Sequence, residues 1–326
     1  MPIKIPEQLP ATQTLIDENI FVMTEKRALS QDIRPLHILL LNLMPTKIET
    51  ETQIVRLIGN TPLQIELDLL KMDSHTSSHV SQEHMAHFYT TFDQIKDQYY
   101  DGLIITGAPL EHLRYEEVEY WEELCQIMDW SLTHVYSTLH ICWGAFAGLY
   151  YHYGIDKKPL PAKLFGVFPH HVERKSSILF RGFDDTFMVP HSRHITLDRK
   201  DVEAIDQLKI LASSPQAGLY AMSTEGGRQI FITGHSEYDQ RTLEKEYLRD
   251  KQAGLPIAVP ENYYPDDDDT KAPEVSWRSS ANLFFANWIN YIVYQTTPYI
   301  LEDIEVVREF SDKESYGRSH TKLQEK

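Results

Sequence analysis

Only two cysteines, Cys125 and Cys142, occur in 326 residues, which excludes a disulfide framework and fits a reducing cytoplasm. No apolar run approaches the roughly 20 residues that a membrane-spanning helix requires. The opening Met-Pro-Ile-Lys-Ile-Pro-Glu-Gln lacks the apolar centre of a secretory signal. Positive charge is scarce: 31 Lys and Arg stand against 48 Asp and Glu, a formal net charge of −17. That balance excludes non-specific nucleic-acid binding, and it obliges any anionic ligand to find a local basic pocket. No internal repeat is evident.

What is present is an alternation of strand and helix signals. Leu36-His-Ile-Leu-Leu-Leu-Asn-Leu43 is a continuous apolar run, the pattern of a central parallel strand covered on both faces. A helix is expected over 49–58, stopped by Gly59-Asn60. A second strand is expected over 63–70 and a third over 102–106, the latter broken by Gly107-Ala108-Pro109. An amphipathic helix is expected over 116–130. The alternation over residues 36–153 predicts an α/β fold with a doubly wound, mostly parallel sheet and flanking helices. Its ligand site belongs beyond the C-terminal strand ends, where Lys47, Glu111 and Cys142 would gather. After Gly154 the pattern changes to short strands with turns, over 164–172, 186–189, 208–212, 218–222 and 229–233. Helices follow over 241–250 and 279–295. A short helix is also expected over 11–19. Asp266-Asp-Asp-Asp269 reads as a solvated loop, since it lacks the ligand spacing and central Gly of a calcium loop.

The stretch 133–150 carries the first chemical signal. Its apolar first half reads as a buried strand, and its second half as a helix starting with the small residues Gly144, Ala145, Ala147 and Gly148. Cys142 sits between them. Alone, the stretch fits either a buried core cysteine or a nucleophile elbow, a tight turn that exposes the thiol at a helix N-terminus favouring the thiolate. A thiolate nucleophile needs a base, and fifteen histidines compete for that role. His235 directly follows the strand expected over 229–233, with Glu237 two residues on. In extended chain the two side chains share one side, so the carboxylate can orient the imidazole. A surface His-Ser-Glu turn has the same pattern; the position after a strong strand, in a chain with an elbow cysteine, favours the paired reading. His75 with His79, or His84 with His87, have helical spacing for a metal, but no third ligand is indicated and no metal is expected. His170-His171, His191 and His194 read as lining a cleft, and Cys125 as core.

Four motifs in order then carry a resemblance: Asn42-Leu-Met-Pro-Thr-Lys-Ile-Glu-Thr-Glu-Thr-Gln53, Gly59-Asn-Thr-Pro62, His140-Ile-Cys-Trp-Gly-Ala145 and Gly234-His-Ser-Glu237. Together they resemble the homoserine O-acyltransferases of methionine biosynthesis, over nearly the whole chain to Pro298. The resemblance implies a class I glutamine amidotransferase-like fold. In that fold a Gly usually stands two residues before the nucleophile; His140 stands there instead, which disfavours glutaminase chemistry. Phe146 departs from the family pattern, in which Gln follows Trp-Gly-Ala. The elbow backbone survives that change, whereas a contact made by the amide does not.

The resemblance further implies a ping-pong transfer through a Cys142 thioester, with His235 as base and Glu237 orienting it. Trp143, through its backbone N–H, and Lys47 are the implied oxyanion donors. Lys163, Ser192 and Arg249 match homoserine-binding positions. Glu111 resembles the acetyl-CoA users, whereas Gly there accompanies succinyl-CoA. The expected enzyme is thus an acetyltransferase of a cytoplasmic homodimer, with L-homoserine and acetyl-CoA as substrates, no permanently bound cofactor, and no nucleic-acid or membrane partner. Succinyl transfer, an amidotransferase-like hydrolase and a non-catalytic sensor are the alternatives. Residues 1–301 are expected to form one acyltransferase domain, with its α/β core at about 36–300 and an extension over 1–35. A charged tail follows over 302–326.

Overall fold

The computed structural model describes residues 4–5, 23–24, 35–74 and 82–304. The helix expected over 11–19, His75, His79 and the tail beyond 304 lie outside the described residues. Two short strands, Lys4–Ile5 and Met23–Thr24, pair in parallel.

Every other described strand joins one ten-stranded sheet. In chain order these are β1 (Leu36–Leu41), β2 (Ile65–Leu70), β3 (Tyr89–Thr90), β4 (Tyr100–Ile105) and β5 (Val135–Ile141). They continue with β6 (Lys158–Val172), β7 (Thr186–Thr196), β8 (Leu208–Ser214), β9 (Gly218–Thr224) and β10 (Gln229–Ile232). Their spatial order is β3-β2-β1-β4-β5-β10-β9-β8-β6-β7. The half from β3 to β10 is parallel, and the remainder is antiparallel. The expected doubly wound, mostly parallel sheet is present, and the strands after Gly154 extend it.

The continuous apolar run in β1 has a simple cause. Leu39 and Leu41 point into one core cluster with Trp121 and Leu149, while Ile38 and Leu40 point into a second with Ile54 and Trp288. Helices therefore cover both faces. α1 (Lys47–Ile58) belongs to the second cluster, whereas α2 (Gln82–Phe88) follows β2. α3 (Trp121–His134) and α4 (Trp143–Tyr153) belong to the first. The helix expected from 116 starts at Trp121 instead, after a separate 3-10 turn at Tyr115–Glu117. α5 (Thr242–Gln252) follows β10. The closing helix is α6 (Arg278–Asn287), continued by a π-helical segment at Trp288–Val293. The wider turn lets Trp288, Ile289, Ile292 and Val293 all face the core.

β6 and β7 correct the expectation of short strands. They form a long hairpin despite Pro159, Pro161, Pro169 and Pro190. β7 is an edge strand, and β6 meets β8 only at His171 and Val172, so a missing N–H costs little along most of its length. Its register shifts between Pro159 and Leu164. Among the described residues no helix is long and apolar enough to cross a membrane.

Candidate active site

Sheet adjacency builds the site. β5 and β10 are parallel neighbours, so Cys142 after the first and His235 after the second emerge at the same sheet end. Cys142 caps α4 with φ 47° and ψ −118°, a left-handed conformation that a non-glycine residue rarely holds. Its N–H donates to the Ile232 carbonyl at 2.7 Å, and its carbonyl accepts from the Ala145 and Phe146 N–H groups. Gly144 makes the turn possible: a Cβ there would lie 2.6 Å from the Thr106 carbonyl oxygen and 2.9 Å from that of Ile105. The strand–turn–helix expected around Cys142 is thus an elbow rather than a plain core segment.

Cys142 stands beside the His235 ring and acts on it as a charge partner. The His235 Nδ1 meets Glu237 Oε1 at 2.7 Å, and all three residues are buried. Burial pulls the His235 pKa down, but Cys142 and Glu237 outweigh it and hold the imidazole well above its ordinary value. The His235 N–H donates to the Pro190 carbonyl at 2.8 Å, which anchors its backbone to β7. Gly107 faces the pair: a Cβ on it would stand 3.3 Å from Cys142 Cβ and 3.6 Å from His235 Cε1.

Trp143 is the first residue of α4, where a backbone N–H has no acceptor within the helix. Lys47 is buried too, yet its ammonium donates to the Asn42 carbonyl at 2.6 Å and reaches that of Met44 at 3.5 Å. Burial lowers its pKa to about 8, against the opposing pull of Glu51. Lys47 therefore secures the turn after β1.

Glu111 follows β4 and accepts the His194 N–H at 2.9 Å. Burial raises its pKa; the His194 N–H, His235 and Arg193 oppose that rise. Sequence reasoning missed Arg193. Its guanidinium is buried on β7, bonded to the Ile195 and Ala217 carbonyls and to His191 Nδ1. Burial lowers its pKa to about 10, and the charges pulling it back up are Cys142 and Glu111. Phe146, the departure noted above, fills core space with its ring centroid 5.9 Å from that guanidinium.

A second group lies between β6, β7 and α5. Ser192 Oγ donates to Glu246 Oε2 at 2.5 Å. Lys163 Nζ is 3.4 Å from the same oxygen and 3.6 Å from Asp250. Arg249 pairs with its chain neighbour Asp250, at 2.8 Å through Nε, and its side chain is 68% exposed. The structure thus brings Lys163 and Ser192 together at Glu246, whereas Arg249 meets only its neighbour Asp250. Glu246 was also missed. Its signal lies in the helix itself: Leu243, Tyr247 and Asp250 are buried at helical spacing, so Glu246 borders an inward stripe. Of the histidines weighed as ligands, His84 meets Glu51 at 3.2 Å. Among the described residues no group of three or more potential metal ligands gathers.

Three comparisons bear on this geometry. A glutamine amidotransferase from Thermotoga maritima superposes with a TM-score of 0.51 over 80% of this chain and 99% of its own, at 12% identity, which shows the fold alone. A homoserine O-acetyltransferase of Acetivibrio thermocellus is 59% identical over 94% of this chain and all of its own. Another, of Clostridium novyi, is 61% identical over 92% and 99% respectively. The homoserine O-succinyltransferase profile matches residues 2–299, and the chain belongs to that family of acyltransferases, on a class I glutamine amidotransferase-like fold.

Proposed function

We propose that the protein is a homoserine O-acetyltransferase that works by ping-pong transfer through Cys142. The placement of Cys142, at a strained elbow, beside a His235 that is hydrogen-bonded to Glu237 is the observation that carries this reading. His235 takes the thiol proton, and Cys142 Sγ attacks the carbonyl carbon of acetyl-CoA. The oxyanion forms against the Trp143 N–H at the start of α4, where the helix dipole favours negative charge. The C–S bond to CoA breaks, and the leaving thiolate takes the proton from His235. His235 next accepts the hydroxyl proton of L-homoserine, whose oxygen attacks the thioester; O-acetyl-L-homoserine leaves and Cys142 is restored. Glu237 holds the imidazole tautomer throughout. Lys47, also expected as an oxyanion donor, is engaged with Asn42 and Met44, so we assign it the support of the neighbouring turn.

The pocket of Lys163, Ser192 and Arg249 suits a small zwitterion. Arg249 and Lys163 receive the homoserine carboxylate, and Glu246 the ammonium. The acyl donor rests on Glu111 and on relatives at 59% and 61% identity named as acetyltransferases. A succinyl chain would bring a second carboxylate toward Glu111. At about 4 Å and an effective dielectric near 20, the repulsion is on the order of 4 kcal/mol when both are ionised. Succinyl transfer is the second reading, favoured only by the name of the matching family. Two cysteines outside any disulfide accord with a cytoplasmic enzyme, and we read it as a homodimer with no resident cofactor. Intact mass after mixing with acetyl-CoA alone tests the mechanism: a Cys142-dependent acetyl adduct supports it, and no adduct from either CoA ester rejects it.

A further inference from the structure

Three residues past His235 the chain turns back, with the Tyr238 N–H donating to the His235 carbonyl at 3.3 Å. That turn lays the phenol on the imidazole: the ring centroids are 4.1 Å apart and the planes differ by 15°. Tyr238 is buried, and Trp277 Nε1 pins its carbonyl at 2.9 Å. Its hydroxyl donates to Glu246 Oε1 at 3.1 Å, while Glu246 Oε2 holds Ser192 and Lys163. One side chain therefore touches both the base and the pocket proposed for the second substrate.

The need for such a contact follows from ring geometry. His235 is held at Nδ1 by Glu237, with Cys142 beside the ring. A bond at one ring nitrogen leaves an imidazole free to rock about it. A parallel ring in van der Waals contact removes that motion. The electron-rich phenol face also favours imidazolium over imidazole. We infer that Tyr238 is a positioning residue: its ring fixes the plane of His235, and its hydroxyl ties that plane to Glu246, where the homoserine ammonium docks. This rests on the acyl-transfer reading above and adds a coupling between the two half-reactions.

The two roles separate by mutation. Tyr238→Phe keeps the stack and loses the tether. Tyr238→Leu loses both, and Tyr238→Met is run beside it to fill the volume without a π face. Acetyl-enzyme formation is followed by intact mass without homoserine, and homoserine-dependent turnover is measured across pH. For Tyr238→Phe, acylation should stay within about twofold while the KM for homoserine rises about tenfold, as for loss of a hydrogen bond to a charged group. For the Leu and Met variants acylation should slow about tenfold. In the homoserine step His235 must be neutral to accept a proton, so loss of the π face should move the acid limb about one unit to lower pH. That shift is absent from a merely structural role and should be absent in Tyr238→Phe. Acylation and acid limb unchanged in whichever of Leu or Met folds overturn the stacking role; an unchanged homoserine KM in Tyr238→Phe overturns the tether. A wild-type protein that forms no acetyl adduct rejects the underlying mechanism instead, so the two failures are distinguishable.

Discussion

The Glu111 carboxylate and the His194 N–H are joined at 2.9 Å, and this bond fixes a half-buried acid one residue from the buried guanidinium of Arg193. Glu111→Gly would remove the carboxylate, open its volume, and leave both the His194 N–H and the Arg193 charge available to a succinyl carboxylate. The expected outcome is a gain in kcat/KM for succinyl-CoA relative to acetyl-CoA, up to about 10³-fold from the Coulomb figure. Because burial raises the Glu111 pKa, discrimination by charge should weaken as pH falls and Glu111 takes up a proton. Parallel assays with both esters at two pH values check both parts. An unchanged donor ratio would sink this account of Glu111.

Glu237 supplies negative charge that raises the His235 pKa. In the acetyl-enzyme the Cys142 thiolate is absent, so Glu237 is the remaining partner. Glu237→Gln should lower the His235 pKa and move the acid limb of the homoserine step to lower pH. It should also cut kcat by roughly 10²–10⁴, since an amide no longer stabilises the imidazolium and can select the wrong tautomer. A pH–rate profile of single-turnover deacetylation reads both effects. A lower rate with an unmoved limb would leave Glu237 a purely steric part.

The parallel core was legible because burial on both faces forces a run such as that of β1 to be apolar throughout. The pairing of Cys142 with His235 was legible only as two local signals; the parallel contact of β5 and β10 that joins them is non-local. Arg193 was hidden for the same reason. A charge on an alternating strand looks solvated until folding supplies the carbonyls of Ile195 and Ala217. Lys47 shows the converse. Its place after the first strand suggested an oxyanion donor; the same turn also brings the Asn42 and Met44 carbonyls to its ammonium, contacts that no sequence pattern announces. The length of β6 and β7 was obscured by prolines that an edge hairpin accommodates.

Three buried histidines and the half-buried His152 set the acid limit of stability. Burial is the leading cause in each case: it lowers the pKa of His140 to about 3 and those of His152 and His170 to about 4, and it takes His191 well below the ordinary value. Unfolded, each binds a proton below about pH 6.5. The unfolded state thus takes up more protons, and stability falls as pH drops from about 6.5 toward 4, at up to about 1.4 kcal/mol per pH unit for each group. His235 does not offset this. Its raised pKa gives a contribution that is complete below the unfolded value and lost only as pH rises through the folded one. Urea midpoints at fixed protein concentration should therefore decline steeply between pH 6.5 and 5, and His170→Gln should flatten the decline. A midpoint constant over that interval would contradict neutral burial of these rings.

The elbow stores strain that mutation can release. Cys142 holds φ 47° and ψ −118°, where an L side chain is disfavoured and glycine is not. The conformation is imposed from outside the residue, by the bond to Ile232 and by the close approach of Gly144 to Thr106. Both Cys142→Ala and Cys142→Gly abolish the nucleophile, but only the second relieves the backbone. Strain of about 1–3 kcal/mol outweighs the roughly 0.5–1 kcal/mol of extra chain entropy that glycine loses on folding. Cys142→Gly should therefore be more stable than Cys142→Ala by about 1 kcal/mol or more in urea denaturation. The thiol cannot account for such a difference, because neither variant has one. Equal midpoints would mean that α4 and the end of β5 relax around an alanine, and that the elbow is held in this shape without cost.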